Sequence, residues 1–344
     1  MPSYHPSLDS SELLGWQAIR DTDVQWRGLL LGNGSSIAVA ESFAYPSLHD
    51  VAQSQQLAHP LSGPALELFE ELDTTNFEFV LGALKLAGRV CEAAGVDASL
   101  FPDLYEEIQL ALFEAVRHVH VPWEDVIGQT LPRIRAELLR YRRVFSTNYD
   151  LLVYWAIMCE DGPNDFRDFF WDPSLTFDSA DVEVWGRPSV VHFLHGGVHL
   201  RRHEEGGTSK RRAVDANLLT QFDTDWASGE IPLLVSEGTS EDKLRSINGS
   251  DYLTFCYSNF ARHKGNLVIY GHGLGREDAH ITHAINQWDS SPPDRRQVAI
   301  SIRSQLGEEE VRREKARLAR ELPRADLWFF DADSHPLGAP RVRV

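Results

Sequence analysis

The run Gly28-Leu29-Leu30-Leu31 stops at Gly32-Asn33-Gly34-Ser35-Ser36, and the chain turns apolar again at Ile37-Ala38-Val39-Ala40. A short apolar run closed by glycines and followed by a second apolar stretch predicts a buried strand, a tight turn and a helix. Four further runs share this character, at residues 143–146, 190–194, 267–270 and 298–302, with weaker examples at 231–235 and 327–330. Strands that are apolar throughout are covered on both faces, so their alternation with helical stretches predicts an α/β fold built on a parallel sheet with helices on both faces.

Between the first two strands lies residues 64–142, where Leu104, Ile108, Ala111, Leu112 and Ala115 recur at helical spacing. That tract is far longer than a crossover of about a dozen residues. It predicts an inserted helical subdomain, leaving 1–63 and 143–344 as the main domain. Pro122 and Pro132 are expected to open helices within it. Residues 201–212, with Glu204-Glu205-Gly206-Gly207, read as a solvated loop, and residues 308–320 as an exposed, ion-paired helix.

A formal net charge of −18 repels both the phosphates of nucleic acid and an anionic membrane face, so neither is an expected partner, and it favours solubility. Cys91, Cys159 and Cys256 are too few and too scattered for a disulfide framework or a four-cysteine zinc module. Residues 1–20 lack a basic start followed by an apolar run, and no stretch is apolar for long enough to span a bilayer. The expected location is the cytoplasm.

Chemistry concentrates where strands end, because residues beyond the carboxyl ends of parallel strands face the ligand crevice. Four such places carry suitable residues. Gly32, Asn33, Gly34, Ser35 and Ser36 form a glycine turn that lets backbone N–H groups approach a pyrophosphate, with a helix N-terminus behind it. Thr147, Asn148 and Asp150 follow the second strand, where any one of them would also serve as a helix cap. His195, in His192-Phe193-Leu194-His195-Gly196-Gly197, leaves the sheet beside two glycines. Gly271, His272 and Leu274 follow the fourth run, ahead of Asp278-Ala279-His280. His195 and His199 would have metal-ligand spacing only on a helix, which the glycines oppose, so no metal is expected.

In this order and spacing the motifs resemble the sirtuin-like superfamily, and in particular bacterial sirtuin-like proteins that cleave NAD in antiphage defence. The resemblance to one branch of that group rests on Leu31-Gly32-Asn33-Gly34 with Ser36-Ile37, Asn76-Phe77-Glu78, Thr147-Asn148-Tyr149-Asp150-Leu151-Leu152, Phe193-Leu194-His195-Gly196 with His199-Leu200, and Ile269-Tyr270-Gly271-His272. Val235-Ser236-Glu237-Gly238, Lys243 and Tyr252-Leu253 also fit it.

The resemblance implies a Rossmann-like NAD-binding domain and an NAD glycohydrolase. It implies that Asn148 holds the nicotinamide ribose or the attacking water, that His195 is the catalytic histidine, that Gly32, Gly34 and Ser35 match the phosphate loop, and that Gly271 and Leu274 match a later ribose or adenine wall. Asn33, Ser36, Thr147, Asp150 and His272 are expected to join them around NAD. The cysteine-bound zinc module of protein-deacylating sirtuins cannot be built here, nor is their Ala-Gly-Ile-Ser pattern present, which argues against deacylation. Glu41, Phe43 and Tyr45 remain alternatives for lining the nicotinamide pocket, and Asp150 either steers His195 or caps its helix. An enzyme that destroys NAD needs control, so the resemblance further implies a regulatory partner protein, a homo-oligomer, or both. Competing readings are a nucleotide-binding sensor or scaffold without turnover, and transfer of ADP-ribose or an acyl group to a protein.

Overall fold

The computed structural model describes residues 10–54, 57–159, 165–180, 189–203, 207–211, 231–236, 238–287 and 295–338. Ten strands are present among them: β1 (Trp26–Leu31), β2 (Arg143–Ser146), β3 (Phe166–Arg167), β4 (Ser189–Phe193), β5 (Gly196–Arg202), β6 (Thr208–Lys210), β7 (Ile231–Leu234), β8 (Asn266–Tyr270), β9 (Arg296–Ile302) and β10 (Ala325–Asp331). The α-helices run α1 (Trp16–Arg20), α2 (Gly34–Ile37), α3 (Tyr45–Ala52), α4 (Gly63–Glu71), α5 (Phe77–Ala94), α6 (Leu100–His118), α7 (Trp123–Ile127), α8 (Thr130–Leu138), α9 (Leu152–Met158), α10 (Ser240–Asn248), α11 (Asp251–Ala261), α12 (Ala279–Asn286) and α13 (Glu308–Glu321).

Seven strands form one parallel sheet in the order β10-β9-β8-β1-β2-β4-β3, a Rossmann-like arrangement flanked by helices. The middle strands are sealed on both faces: Leu29, Leu30, Val144, Phe145, Leu267, Val268 and Ile269 are all fully buried. Each such aliphatic side chain contributes about 1.5–3 kcal/mol when withdrawn from water, which is why the apolar runs are strands of this sheet.

Two expectations are corrected. Residues 231–235 do not join the parallel sheet; β7 pairs antiparallel with β5 in a second sheet of order β6-β5-β7. The charged stretch from Arg201 is not a solvated loop. Arg201 and Arg202 end β5, and Thr208, Ser209 and Lys210 form β6, antiparallel to it. The Arg201 side chain is buried, donating to the carbonyls of Val198 and Leu200 at 2.7 and 2.8 Å, and buried Lys210 donates to Asp168 at 2.5 Å. Glu204, Glu205, Gly206, Arg212 and Glu237 lie outside the described residues.

The first long helix of the helical tract begins and ends on a local signal. Asn76 caps α5 by accepting from the N–H groups of Glu78 and Phe79, and Gly95 ends that helix at φ +72°. In α6, Leu104, Ile108, Ala111, Leu112 and Ala115 make the buried face, packed on α3 and α5. Helix α13 is ion-paired outside through Arg312 and Glu308, while Val311 and Leu318 face inward. Among the described residues, no helix is long and apolar enough to cross a membrane.

The register decides where a site can form. Leu31 pairs with both Ser146 and Tyr270, and Ser146 with Phe193, so β1, β2, β8 and β4 end level. From β1 the chain builds β2, β4 and β3 on one side and β8, β9 and β10 on the other. The crevice outside the ends of β1 and β8 is therefore the topological switch point, where open α/β sheets bind ligands. At that point two glycine turns press together. Gly32 N–H donates to Tyr270 O at 3.0 Å and Gly34 N–H to Gly271 O at 2.8 Å. A Cβ on Gly34 would lie 2.7 Å from Gly271 Cα, and one on Gly271, at φ +68°, would lie 2.4 Å from Ser35 N.

Gly271→Ala should therefore lower stability by about 2 kcal/mol or more, since both backbone strain and a backbone clash oppose the new methyl. Urea unfolding measures it, and an unchanged midpoint would mean that the turns do not need this approach.

Candidate active site

Asn148 lies two residues beyond the end of β2 and is 5% exposed. Its surroundings fix which way its amide points. Ser36 Oγ donates to Asp150 Oδ2 at 2.5 Å, and Ser35 Oγ donates to Gly32 O at 2.8 Å, so both hydroxyl protons are committed. Each hydroxyl then has only a lone pair for Asn148, which must present its donor: Nδ2 stands 2.9 Å from Ser35 Oγ and 2.8 Å from Ser36 Oγ. The opposite atom, Asn148 Oδ1, is buried without a hydrogen-bond partner. A buried acceptor left unpaired costs about 1–3 kcal/mol, a cost that a ligand donor would relieve.

Asp150 does not steer His195. Its Oδ1 accepts from Leu152 N–H at 2.8 Å at the start of α9, and its Oδ2 takes the Ser36 hydroxyl, so the capping carboxylate also sets the Asn148 amide. Thr147 returns its hydroxyl to Leu31 O at 3.1 Å. The glycine turn behaves differently from a free phosphate cradle. The N–H groups of Gly32, Gly34, Ser35 and Ser36 all donate to backbone carbonyls of this chain. Its glycines serve the close approach to Gly271.

On the other side of the crevice a charged cluster lies buried. Lys243, fully buried on α10, donates to Glu78 Oε2 and to Asp278 Oδ1, both at 2.7 Å. Burial works against the Lys243 charge, yet Glu78 and Asp278 raise its pKa above the ordinary value. Burial likewise raises the Glu78 carboxyl against the pull of Lys243, while Asp278, which burial alone would raise, is held well below the usual range by Lys243, His272 and His195. Tyr149 OH lies 2.9 Å from Glu78 Oε1. This cluster forms because α5 and the segment before α10 meet glycine to glycine: a Cβ on Gly238 would stand 2.0 Å from Glu78 O.

His195 Nε2 is 2.9 Å from His280 Nε2, and both rings are buried. Burial, with Lys243 nearby, pushes the His195 imidazole well below its ordinary pKa, and burial pushes His280 down to about 4. His272 accepts from Leu274 N–H at Nδ1 and places Nε2 3.5 Å from Asp278.

Two cavities open here. One, of about 180 Å³, is lined by Asn33, Phe43, Tyr45, Glu78, Thr147, Asn148, Asp150, His195, Gly271, His272, Glu277 and Asp278, among others. The other, of about 600 Å³, is lined by Gly34, Ser301, Ile302, Arg303, Arg313 and Arg317, and shares the wall Gly271-His272-Gly273. Asn148 and His195 are thus brought to one cavity, with Phe43 and Tyr45 but not Glu41. Ser35 and Ser36 sit beneath Asn148 in a recess of about 20 Å³, and Gly32 and Leu274 line neither of the two larger cavities. Glu78, Lys243, Asp278 and His280 were not among the residues expected to act. Their charge and type are visible in the sequence, but their convergence from α5, α10 and α12 is not. His192 and His199 face elsewhere, stacked on Phe145 and Tyr154.

Residues 29–337 match the family model described as "Domain of unknown function (DUF4917)", and the chain belongs to that family. No curated protein matches the chain significantly.

The buried histidines set a pH dependence. His263 and His280 are lowered to about 4 and His192 to about 3, in each case mainly by burial, against about 6.5 when unfolded. The unfolded chain therefore binds more protons across this interval, so their stabilisation is complete above about pH 6.5 and is lost as pH falls towards about 4. Urea midpoints should be clearly lower at about pH 5 than at about pH 7.5, and equal midpoints would contradict neutral buried imidazoles.

Proposed function

We propose that this chain is an NAD glycohydrolase of sirtuin-like type, cleaving the nicotinamide–ribose bond to give nicotinamide and ADP-ribose. The observation that carries the reading is the unpaired Asn148 Oδ1, buried beside His195 in a cavity at the switch point of the sheet. A second, larger cavity shares the Gly271-His272-Gly273 wall, which suits a ligand with two linked halves. In this reading the nicotinamide ribose lies in the smaller cavity, against Phe43 and Tyr45, and the adenosine half occupies the larger one.

Nicotinamide leaves NAD as a neutral ring, so the enzyme needs little acid help and must instead stabilise an oxocarbenium-like ribose. Asn148 Oδ1, oriented by Ser35 and Ser36, accepts from a ribose hydroxyl or from the attacking water. In this reading the His195–His280 contact takes the tautomer in which His280 donates from Nδ1 to Ser240 Oγ, 3.4 Å away, and accepts at Nε2 from His195. His195 Nδ1 is then the unprotonated nitrogen and takes the proton of the water or ribose hydroxyl, while its depressed pKa keeps the ring neutral beforehand. Loss of NAD harms the host cell, so the proposal includes control by a partner protein or by self-assembly, as in antiphage effectors.

The test is incubation of the purified protein, alone and with the proteins encoded beside it, with NAD and chromatographic measurement of free nicotinamide. Asn148→Ala and His195→Ala should each lower the rate about a hundredfold to ten-thousandfold with little change in melting temperature. A variant that melts normally and releases nicotinamide at the parent rate would remove that residue from the mechanism.

A further inference from the structure

His195, Asp278 and His280 come from two separate places, the turn between β4 and β5 and the start of α12, yet one ligating atom from each lies within 4.8 Å of the other two. The histidines are 2% and 1% exposed. Two imidazole nitrogens and a carboxylate oxygen suit zinc and its neighbours rather than calcium or magnesium, which require oxygen ligands.

We propose that His195, His280 and Asp278 form a divalent transition-metal site for which zinc is the fitting ion, with its open coordination position facing the cavity of about 180 Å³. Nitrogens bound at about 2.0–2.1 Å in a tetrahedron stand about 3.3 Å apart, so the His195–His280 pair, now 2.9 Å apart, needs to part by a few tenths of an ångström. The supporting groups are in place. Lys243 holds Asp278 Oδ1 at 2.7 Å, Asp278 Oδ2 lies 3.5 Å from His272 Nε2, and Glu78 balances the Lys243 charge at 2.7 Å. Ser240 Oγ lies 3.4 Å from His280 Nδ1, the nitrogen that zinc would not use. His195 and Asp278 both line the cavity, which gives the ion its entry path.

On binding, zinc takes the place of the hydrogen between the two Nε2 atoms, and the His195 proton moves to Nδ1 with no net release. A ring protonated at Nδ1 cannot accept another proton there, so zinc would block nicotinamide release. That consequence rests on the proposed hydrolysis; the binding itself does not.

The experiment is calorimetric titration of the chelator-stripped full-length protein with zinc chloride. One ion per chain is expected, weakened at least tenfold in both His280→Ala and His280→Gln and unchanged in His283→Ala, an exposed histidine of the same helix that pairs with Gln287. Absence of stoichiometric uptake by the parent protein, or uptake that survives both His280 substitutions, overturns the proposal. Should those variants fail to fold, cobalt in the parent protein decides: intense visible bands of a four-coordinate ion support the site, and the pale spectrum of a six-coordinate ion contradicts it. Zinc uptake by a protein that, stripped of metal, releases no nicotinamide from NAD would leave this site standing while removing the proposed reaction.

Discussion

Everything at the ligand end of this sheet depends on the contact between two glycine turns. Gly34 N–H reaches Gly271 O at 2.8 Å only because neither residue carries a Cβ, and the turns after β1 and β8 thereby close to van der Waals distance. That contact holds α2 over the end of β1, so that Ser35 and Ser36 face Asn148 across the end of β2. It also makes Gly271 to Gly273 the common wall of the two cavities. A glycine turn of this composition is usually read as a phosphate cradle. Here its N–H groups are bonded within the protein, and its geometric role is to bring side chains together.

The second constraint is electrostatic. A lysine buried as completely as Lys243 is tolerable only with counter-charges in contact, and Glu78 and Asp278 supply them from α5 and from the start of α12. Removing one partner of such a pair commonly costs about 3–5 kcal/mol, because the other charge is left stranded. The ion pairs therefore tie the helical tract to the sheet at the crevice itself. Asp278, kept ionised, in turn faces His272 and the His195–His280 pair. The residues that fix the architecture and those available for chemistry form one connected network.

Much of the fold was legible because the sheet is buried on both faces: β1, β2, β4, β8, β9 and β10 appear as apolar runs whose ends fall within about two residues of the observed ones. β3, a pairing of only Phe166 and Arg167, left no such signal. β5 and β6 were hidden by Arg201 and Lys210, whose charges signal solvent until their partners are known; one folds back on backbone carbonyls and the other meets Asp168. Asn148 and His195 could be singled out because both lie just beyond strand ends, two residues after β2 and β4. The serines that orient Asn148 lie 112 and 113 residues away, and no local pattern announces that their hydroxyl protons are committed elsewhere. Helical periodicity likewise marked the tract that holds α5 and α6 through the buried face of α6, without revealing that Glu78 turns from α5 into the crevice.

The central claim is that an unpaired carbonyl, Asn148 Oδ1, marks the ribose position of a dinucleotide laid across the switch point. A crystal structure of the protein with ADP-ribose tests it most directly, since this ligand is proposed as a product and its position requires no turnover. The ligand's terminal ribose should lie against Asn148 and His195 and its adenosine half in the cavity bounded by Ser301 and Arg313. ADP-ribose bound away from this crevice, or absent from it at saturating concentration, would contradict the account.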